Sequence, residues 1–103
     1  MFTQLNAENY KDTVSATRAG LCLCFKKLCP HCKNMEKVLE KFSQMQPDAS
    51  LFSLDMVEEE QIAHSMQVER APTLLFIHGG IVVDKKVGLM NPRELLTAFL
   101  GAQ

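Results

Sequence analysis

Apolar and polar positions change period several times along the chain, and each change marks an element. Residues 2–5 have the make-up of a short strand. Asn6 then suits an N-cap, with Leu5 stapled to Tyr10 over a helix at residues 7–16 that puts Tyr10 and Val14 on one face. Residues 17–20 read as a loop. The run Leu21, Cys22, Leu23, Cys24, Phe25 is apolar on both faces, as a central strand covered by helices must be. The best-patterned helix covers residues 30–46: Cys32, Met35, Val38, Leu39, Phe42 and Met45 form one stripe, and Lys33, Asn34, Glu36, Lys37, Glu40 and Lys41 the opposite face. Pro30 belongs in its first turn, where a missing N–H is harmless, and Pro47-Asp48 stops it.

Residues 51–55 form a third strand, and Glu58-Glu59-Glu60 opens a short helix carrying Ile62, Ala63 and Met66. The three acids read as a solvated first turn facing the positive end of the helix dipole. After a connector at 68–71, Pro72 opens a strand at 73–77, Gly79-Gly80 signals a hairpin, and residues 81–87 return. Asn91-Pro92-Arg93-Glu94 is a capping box with proline at the first helical position. Leu95, Leu96, Phe99 and Leu100 form the apolar face of this last helix, and Gly101 ends it. Strands joined by crossover helices, then a hairpin and a closing helix, predict an α/β fold with a central mixed five-stranded sheet flanked by four helices.

Length allows one domain, residues 1–103, with little core to spare. A net charge of −1 gives no support for nucleic-acid binding, and no apolar run approaches a membrane span. Met1-Phe2-Thr3-Gln4-Leu5-Asn6 has no basic, then apolar, leader pattern, so a cytoplasmic protein is expected. That expectation bears on the four cysteines, Cys22, Cys24, Cys29 and Cys32. They fall within eleven residues, too close to staple distant parts of a chain, and in a reducing compartment they point to catalysis or metal binding. Cys29-Pro30-His31-Cys32 follows a strand and opens a helix, the placement that makes a thiol reactive.

Taken together, the Cys29-Pro30-His31-Cys32 motif, Ala71-Pro72-Thr73 ahead of the fourth strand, the Gly79-Gly80 hairpin and Gly88 resemble the thioredoxin family over essentially the whole chain. The resemblance implies a thioredoxin fold and a cis peptide bond before Pro72, beside the redox cysteines. It implies a nucleophilic Cys29, a resolving Cys32, and a substrate segment paired along Ala71 and Pro72. No cofactor beyond a Cys29–Cys32 disulfide is implied, and no metal. The partners implied are protein disulfides and a flavoprotein thioredoxin reductase, with the chain a monomer. Four departures stand out: Leu28 replaces the usual tryptophan, Leu23 a buried aspartate, Ser53 its lysine partner, and Lys37 the proline that kinks the helix. The Pro30-His31 dipeptide matches DsbA-like oxidases instead, though the chain is too short for their inserted helical domain.

Chemically, a helix start points unpaired N–H groups at Cys29, and His31, Lys26, Lys27, Lys33 and Arg70 add positive charge. The expectation is a Cys29 pKa lowered by its helix position, Pro30 and His31, and a protonated, partly buried Cys32. Each tenfold gain in thiolate raises the reduction potential by about 30 mV, giving a protein less reducing than ordinary thioredoxin. Without the buried acid, Cys32 has to lose its proton to His31, to water or to the departing thiolate. His64 and His78 read as surface residues. Cys22 and Cys24 share one side of a strand and read as buried apolar groups. The alternatives are a disulfide oxidase or isomerase, a thioredoxin-fold adaptor, and a non-catalytic metal-binding or redox-sensing module built on all four cysteines.

Overall fold

The computed structural model describes residues 2–102; Met1 and Gln103, the ends of the expected domain, lie outside the described residues. Its elements run β1 (Thr3–Gln4), α1 (Tyr10–Ser15), β2 (Ala19–Phe25), α2 (Pro30–Met45), β3 (Ser50–Asp55), α3 (Glu60–Ser65), β4 (Thr73–His78), β5 (Ile81–Val87) and α4 (Pro92–Gly101). The sheet order is β1-β3-β2-β4-β5. β1, β3 and β2 run parallel, whereas β4 and β5 are antiparallel to their neighbours. This is the mixed, helix-flanked α/β sheet predicted from the hydropathy pattern.

Strand β2 lies in the middle, and its alternation divides the core. Leu21 and Leu23 pack with Met35, Leu39 and Phe42 of α2 and with Leu95 and Phe99 of α4. Cys22 and Cys24 face the other way, among Leu5, Phe52, Leu54, Ile62 and Ala63, with Tyr10 and Val14 of α1 at the margin. A helix layer therefore covers each face. Burying Met35, Leu39 or Phe42 contributes about 1.5–3 kcal/mol each. The Phe42 and Phe99 rings meet edge to face at 5.1 Å, joining α2 to α4. Gly20 sits where β2 closes on β3; a Cβ there would lie 2.6 Å from the Ser50 carbonyl oxygen.

At the hairpin, Gly79 and Gly80 adopt φ of 62° and 82°, the left-handed pair of a tight two-residue turn. Their N–H groups donate to the Arg18 and Thr17 carbonyls at 2.9 Å, which fastens the hairpin tip to the α1–β2 connection. A bulge interrupts the β4–β5 register between Phe76 and Ile77. The capping box at Asn91 and Glu94 is formed in both directions.

Several local expectations are corrected. Helix α1 starts at Tyr10 rather than residue 7, because the Asn6 side chain accepts the Glu8 and Asn9 N–H groups and closes a separate turn first. β2 starts at Ala19, inside the expected loop, because it pairs with β4 from its first residue. Gly101 is the last residue of α4 and does not end it; Ala102 is the C-cap. Leu100 is half-exposed, off the face carried by Leu95 and Phe99. Among the described residues no helix is long and apolar enough to cross a membrane.

Candidate active site

β2 ends at Phe25, and three exposed residues, Lys26, Lys27 and Leu28, lead to Cys29. Leu28 has φ of 59°, a left-handed conformation costly for a branched side chain, and is 96% exposed. The reversal turns the chain onto the axis of α2, so that Cys29, at φ −111° and ψ 106°, becomes the N-cap. Its Sγ accepts the Cys32 N–H at 3.3 Å and its carbonyl accepts the Lys33 N–H at 3.2 Å. A cysteine here does the work of a capping serine: sulfur meets one of the four N–H groups a helix start leaves unpaired. Pro30 follows in the first turn, exposed, and His31 is exposed beside it.

The two sulfurs of this turn diverge. Cys29 is partly exposed, and its pKa is lowered, first by its hydrogen bond with the Cys32 thiol. Burial opposes this as the second-largest effect, and the backbone N–H groups of Cys32 and His31 and the charge of Lys26 then lower it further. Cys32 is only 3% exposed, and its pKa is pushed up to about 11, mainly by burial and then by the Cys29 hydrogen bond. The Lys26 backbone N–H offsets part of that rise, while the negative charge of Glu36 adds to it. Of the five basic residues expected to act on Cys29, Lys26 is the one whose charge lowers it.

Lys27 is engaged elsewhere. Its Nζ lies 2.9 Å from Glu58 Oε1, and that hydrogen bond, followed by the Glu58 charge, raises the Lys27 pKa. Glu58 is held in turn by its N–H, which Asp55 Oδ1 accepts together with that of Val57. Glu59 Oε1 accepts the Ala7 N–H at 3.2 Å. The expected first turn is corrected in its bounds: Glu58 and Glu60 are exposed, but α3 starts at Glu60, while Glu58 pairs with Lys27 before Cys29 and Glu59 accepts from the turn ahead of α1. The sequence offered no signal for this, since the partners are 31 and 52 residues away.

The second strand pair brings up the other predicted residues. Cys24 lies opposite Thr73 in the β2–β4 register, so Ala71 and Pro72 flank the end of the sheet from which the Cys29 loop emerges. The Ala71–Pro72 peptide is cis; Pro72 is buried and Ala71 half-buried. Gly88 N–H donates to the Pro72 carbonyl at 2.9 Å, which ties the end of β5 to the same corner. Beside Lys26 an open groove of about 730 Å³ runs past Met56, Val57, Ala63 and Val68. Sequence reasoning did not find this groove, nor the exposed, left-handed Leu28, although Leu28 had already stood out as a departure.

Cys22 and Cys24 lie behind this turn on the opposite, α1/α3 face of the sheet. The Cys22 pKa is raised well above the ordinary thiol range, first by a hydrogen bond with the Cys24 thiol and then by burial. Among the described residues no three of His, Cys, Asp and Glu come together as a metal site. His64 is exposed, but His78 is not the plain surface residue expected: its Nδ1 is buried without a hydrogen-bond partner.

Comparison with known proteins gives a consistent picture. The family model described as Thioredoxin matches residues 1–102. Thioredoxin-2 of Saccharomyces cerevisiae is 33% identical over 101 residues, spanning 96% of this chain and 96% of that protein. The solution structure of reduced desulfothioredoxin from Desulfovibrio vulgaris Hildenborough superposes with a TM-score of 0.82 at 34% identity, covering 98% of this chain and 97% of that one. Oxidized mitochondrial thioredoxin 3 from Saccharomyces cerevisiae reaches a TM-score of 0.87 at 25% identity, covering 97% and 94%.

Proposed function

Because the chain belongs to the thioredoxin family of thiol–disulfide oxidoreductases, we propose that Cys29 is its nucleophile and Cys32 its resolving thiol. The observation that carries this assignment is the split within one helical turn: a partly exposed sulfur at the N-cap with its pKa lowered, and a buried one held protonated. Only a thiolate attacks a disulfide, so Cys29 acts first. Its sulfur displaces one substrate thiolate and forms a mixed disulfide. Cys32 then attacks Cys29 Sγ, closes the Cys29–Cys32 disulfide and releases the second substrate thiolate. Two electrons pass to the substrate, and the protein is left oxidised.

Protein disulfides are the substrates on this reading. An extended substrate segment pairs with the backbone at Ala71, next to Pro72, and Lys26 favours acidic neighbours of the scissile bond. Pro30 and His31 tune Cys29, and His31 does so through its backbone N–H. Electrons return from a flavoprotein thioredoxin reductase, and the protein works as a cytoplasmic monomer with no cofactor besides its own disulfide.

Stabilising the thiolate stabilises the reduced form, which makes the disulfide a stronger oxidant by about 30 mV per tenfold change. The reduction potential therefore lies above the reference value for ordinary thioredoxin, about −270 mV, and near the glutaredoxin range. Equilibration against glutathione buffers measures it. A potential at or below −270 mV overturns the less-reducing assignment. A value near that of DsbA, about −120 mV, makes the protein an oxidase, the reading that Pro30-His31 favours.

A further inference from the structure

The resolving step leaves one proton unassigned. Cys32 enters it as a thiol and leaves it as half of a disulfide, so its proton must go to a base as the sulfur attacks. The core beneath offers none: Leu23 and Met35 are apolar and at most 1% exposed. Asp55, the one buried carboxylate among the described residues, uses Oδ1 to hold the Val57 and Glu58 N–H groups at the β3–α3 turn.

Glu36 is placed differently. It is exposed and lies four residues after Cys32 on α2, one turn along, where the solvated face borders the stripe that buries Cys32 and the Cβ atoms are about 5–6 Å apart. Long helical side chains lean toward the N-terminus, the direction in which the turn carrying Cys32 lies from Glu36. The two ion pairs among the described residues, Lys27–Glu58 and Lys86–Asp84, leave Glu36 out. Its negative charge is felt at the Cys32 thiol. The other charged groups in this part of the fold are Lys33, Lys37 and Glu40 on α2, Lys26 on the loop before it, and His31 in its first turn. Lys86, Arg93 and Glu94 line a groove with Met90, whose N–H donates to Met35 Sδ.

We propose that Glu36 is the proton acceptor for Cys32 in the resolving step, a role the core beneath the redox pair cannot fill. The inference rests on the assignment of Cys29 and Cys32 above. As Cys32 Sγ bonds to Cys29 Sγ, the Cys29–substrate S–S bond breaks, the substrate leaves as thiolate, and the Cys32 proton passes to the Glu36 carboxylate and on to solvent. The carboxylate also explains how a thiol with a pKa of about 11 reacts near neutrality: proton removal accompanies the attack and does not precede it.

Stopped-flow reaction of the reduced protein with less than one equivalent of 5,5′-dithiobis(2-nitrobenzoate), from pH 6 to 9, separates the two steps. The first thionitrobenzoate released reports attack by Cys29, and the second reports resolution by Cys32. In Glu36→Gln the second phase slows about tenfold or more at pH 7 and becomes steeply dependent on pH, while the first stays within about twofold; Glu36→Asp recovers part of the loss. Urea unfolding of Glu36→Gln, expected to match the parent, separates a proton role from a structural one. An unchanged second phase in Glu36→Gln, or its loss in His31→Ala in place of Glu36→Gln, overturns the inference. If the unsubstituted protein itself releases no second equivalent, it is the assignment of Cys32 that fails.

Discussion

Two pairs of cysteines lie within eleven residues of this chain, and the fold gives them opposite chemistry. Cys22 and Cys24 are two apart on a strand, so both point to one side, into a helix-covered face where each is 0% exposed. Their thiols meet each other and apolar carbon, and the pKa of Cys22 rises. Cys29 and Cys32 are three apart across a helix start, so one caps the helix from outside and the other lies within its first turn. The difference comes from backbone N–H groups: in the middle of a sheet they are spent on neighbouring strands, while at a helix N-terminus they are still unpaired. Residue type decides little here, and position relative to unpaired donors decides most.

The strongest way to break this comparison is by substitution. Cys29→Ser is expected to lower insulin-disulfide reduction by about a thousandfold or more, because it removes the nucleophile proposed above. The double change Cys22→Ala with Cys24→Ala is expected to leave the rate within about twofold. Turnover coupled to NADPH oxidation measures both, and a large loss in the strand double variant would put the chemistry in the wrong pair.

Alkylation sharpens the contrast. Of the four free thiols, iodoacetamide at pH 7 is expected to label Cys29 alone, and all four after unfolding in urea. The sign follows from the shifts. Lowering the Cys29 pKa keeps its thiolate populated below the ordinary thiol value of about 8.5, so its rate holds as pH falls and drops only below the shifted pKa. Cys32 stays protonated until pH nears about 11 and gains reactivity only there. Mass spectrometry of peptides labelled across pH 5–10 checks both arms.

The smallest effect concerns stability. Cys24→Ser puts a hydroxyl into the apolar α1/α3 face and is expected to cost about 1–3 kcal/mol in urea unfolding. Serine at Cys29, which is partly exposed and already caps a helix, is expected to cost less than about 0.5 kcal/mol, since serine is itself a favoured N-cap. Equal losses at the two positions would remove the distinction between them.

Much of the architecture was legible in the sequence because it depends on local periodicity. The two-faced apolar run at Leu21, Cys22, Leu23, Cys24 and Phe25 places the central strand. The stripe at Cys32, Met35, Leu39 and Phe42 places α2, and the capping box places the start of α4. What escaped depends on contacts remote in sequence or on single backbone angles. Glu58 is solvated as expected, but its partner Lys27, at 2.9 Å, lies thirty-one residues earlier, beyond any local pattern. Asn6 has the chemistry of an N-cap, yet its side chain accepts the Glu8 and Asn9 N–H groups and closes a turn before the helix starts. Gly101 carries a C-terminal signal, but α4 runs through it at no steric cost. In the candidate site, the motif marked the two cysteines that lie at the N-cap and in the first turn of α2. It gave no sign of the left-handed Leu28 that turns the chain onto α2.

The bulge in the β4–β5 ladder has a consequence for behaviour at high concentration. β5 closes one side of the sheet and shows Ile81, Val82, Val83 and Val87 to water beside an open row of backbone donors and acceptors. Such an edge is a template on which a second chain can zip. The irregular register between Phe76 and Ile77 spoils the flatness such growth requires, and Lys85 and Lys86 set two like charges on the same strand. Colloidal stability is therefore guarded by a kink and a pair of lysines at the rim of the sheet.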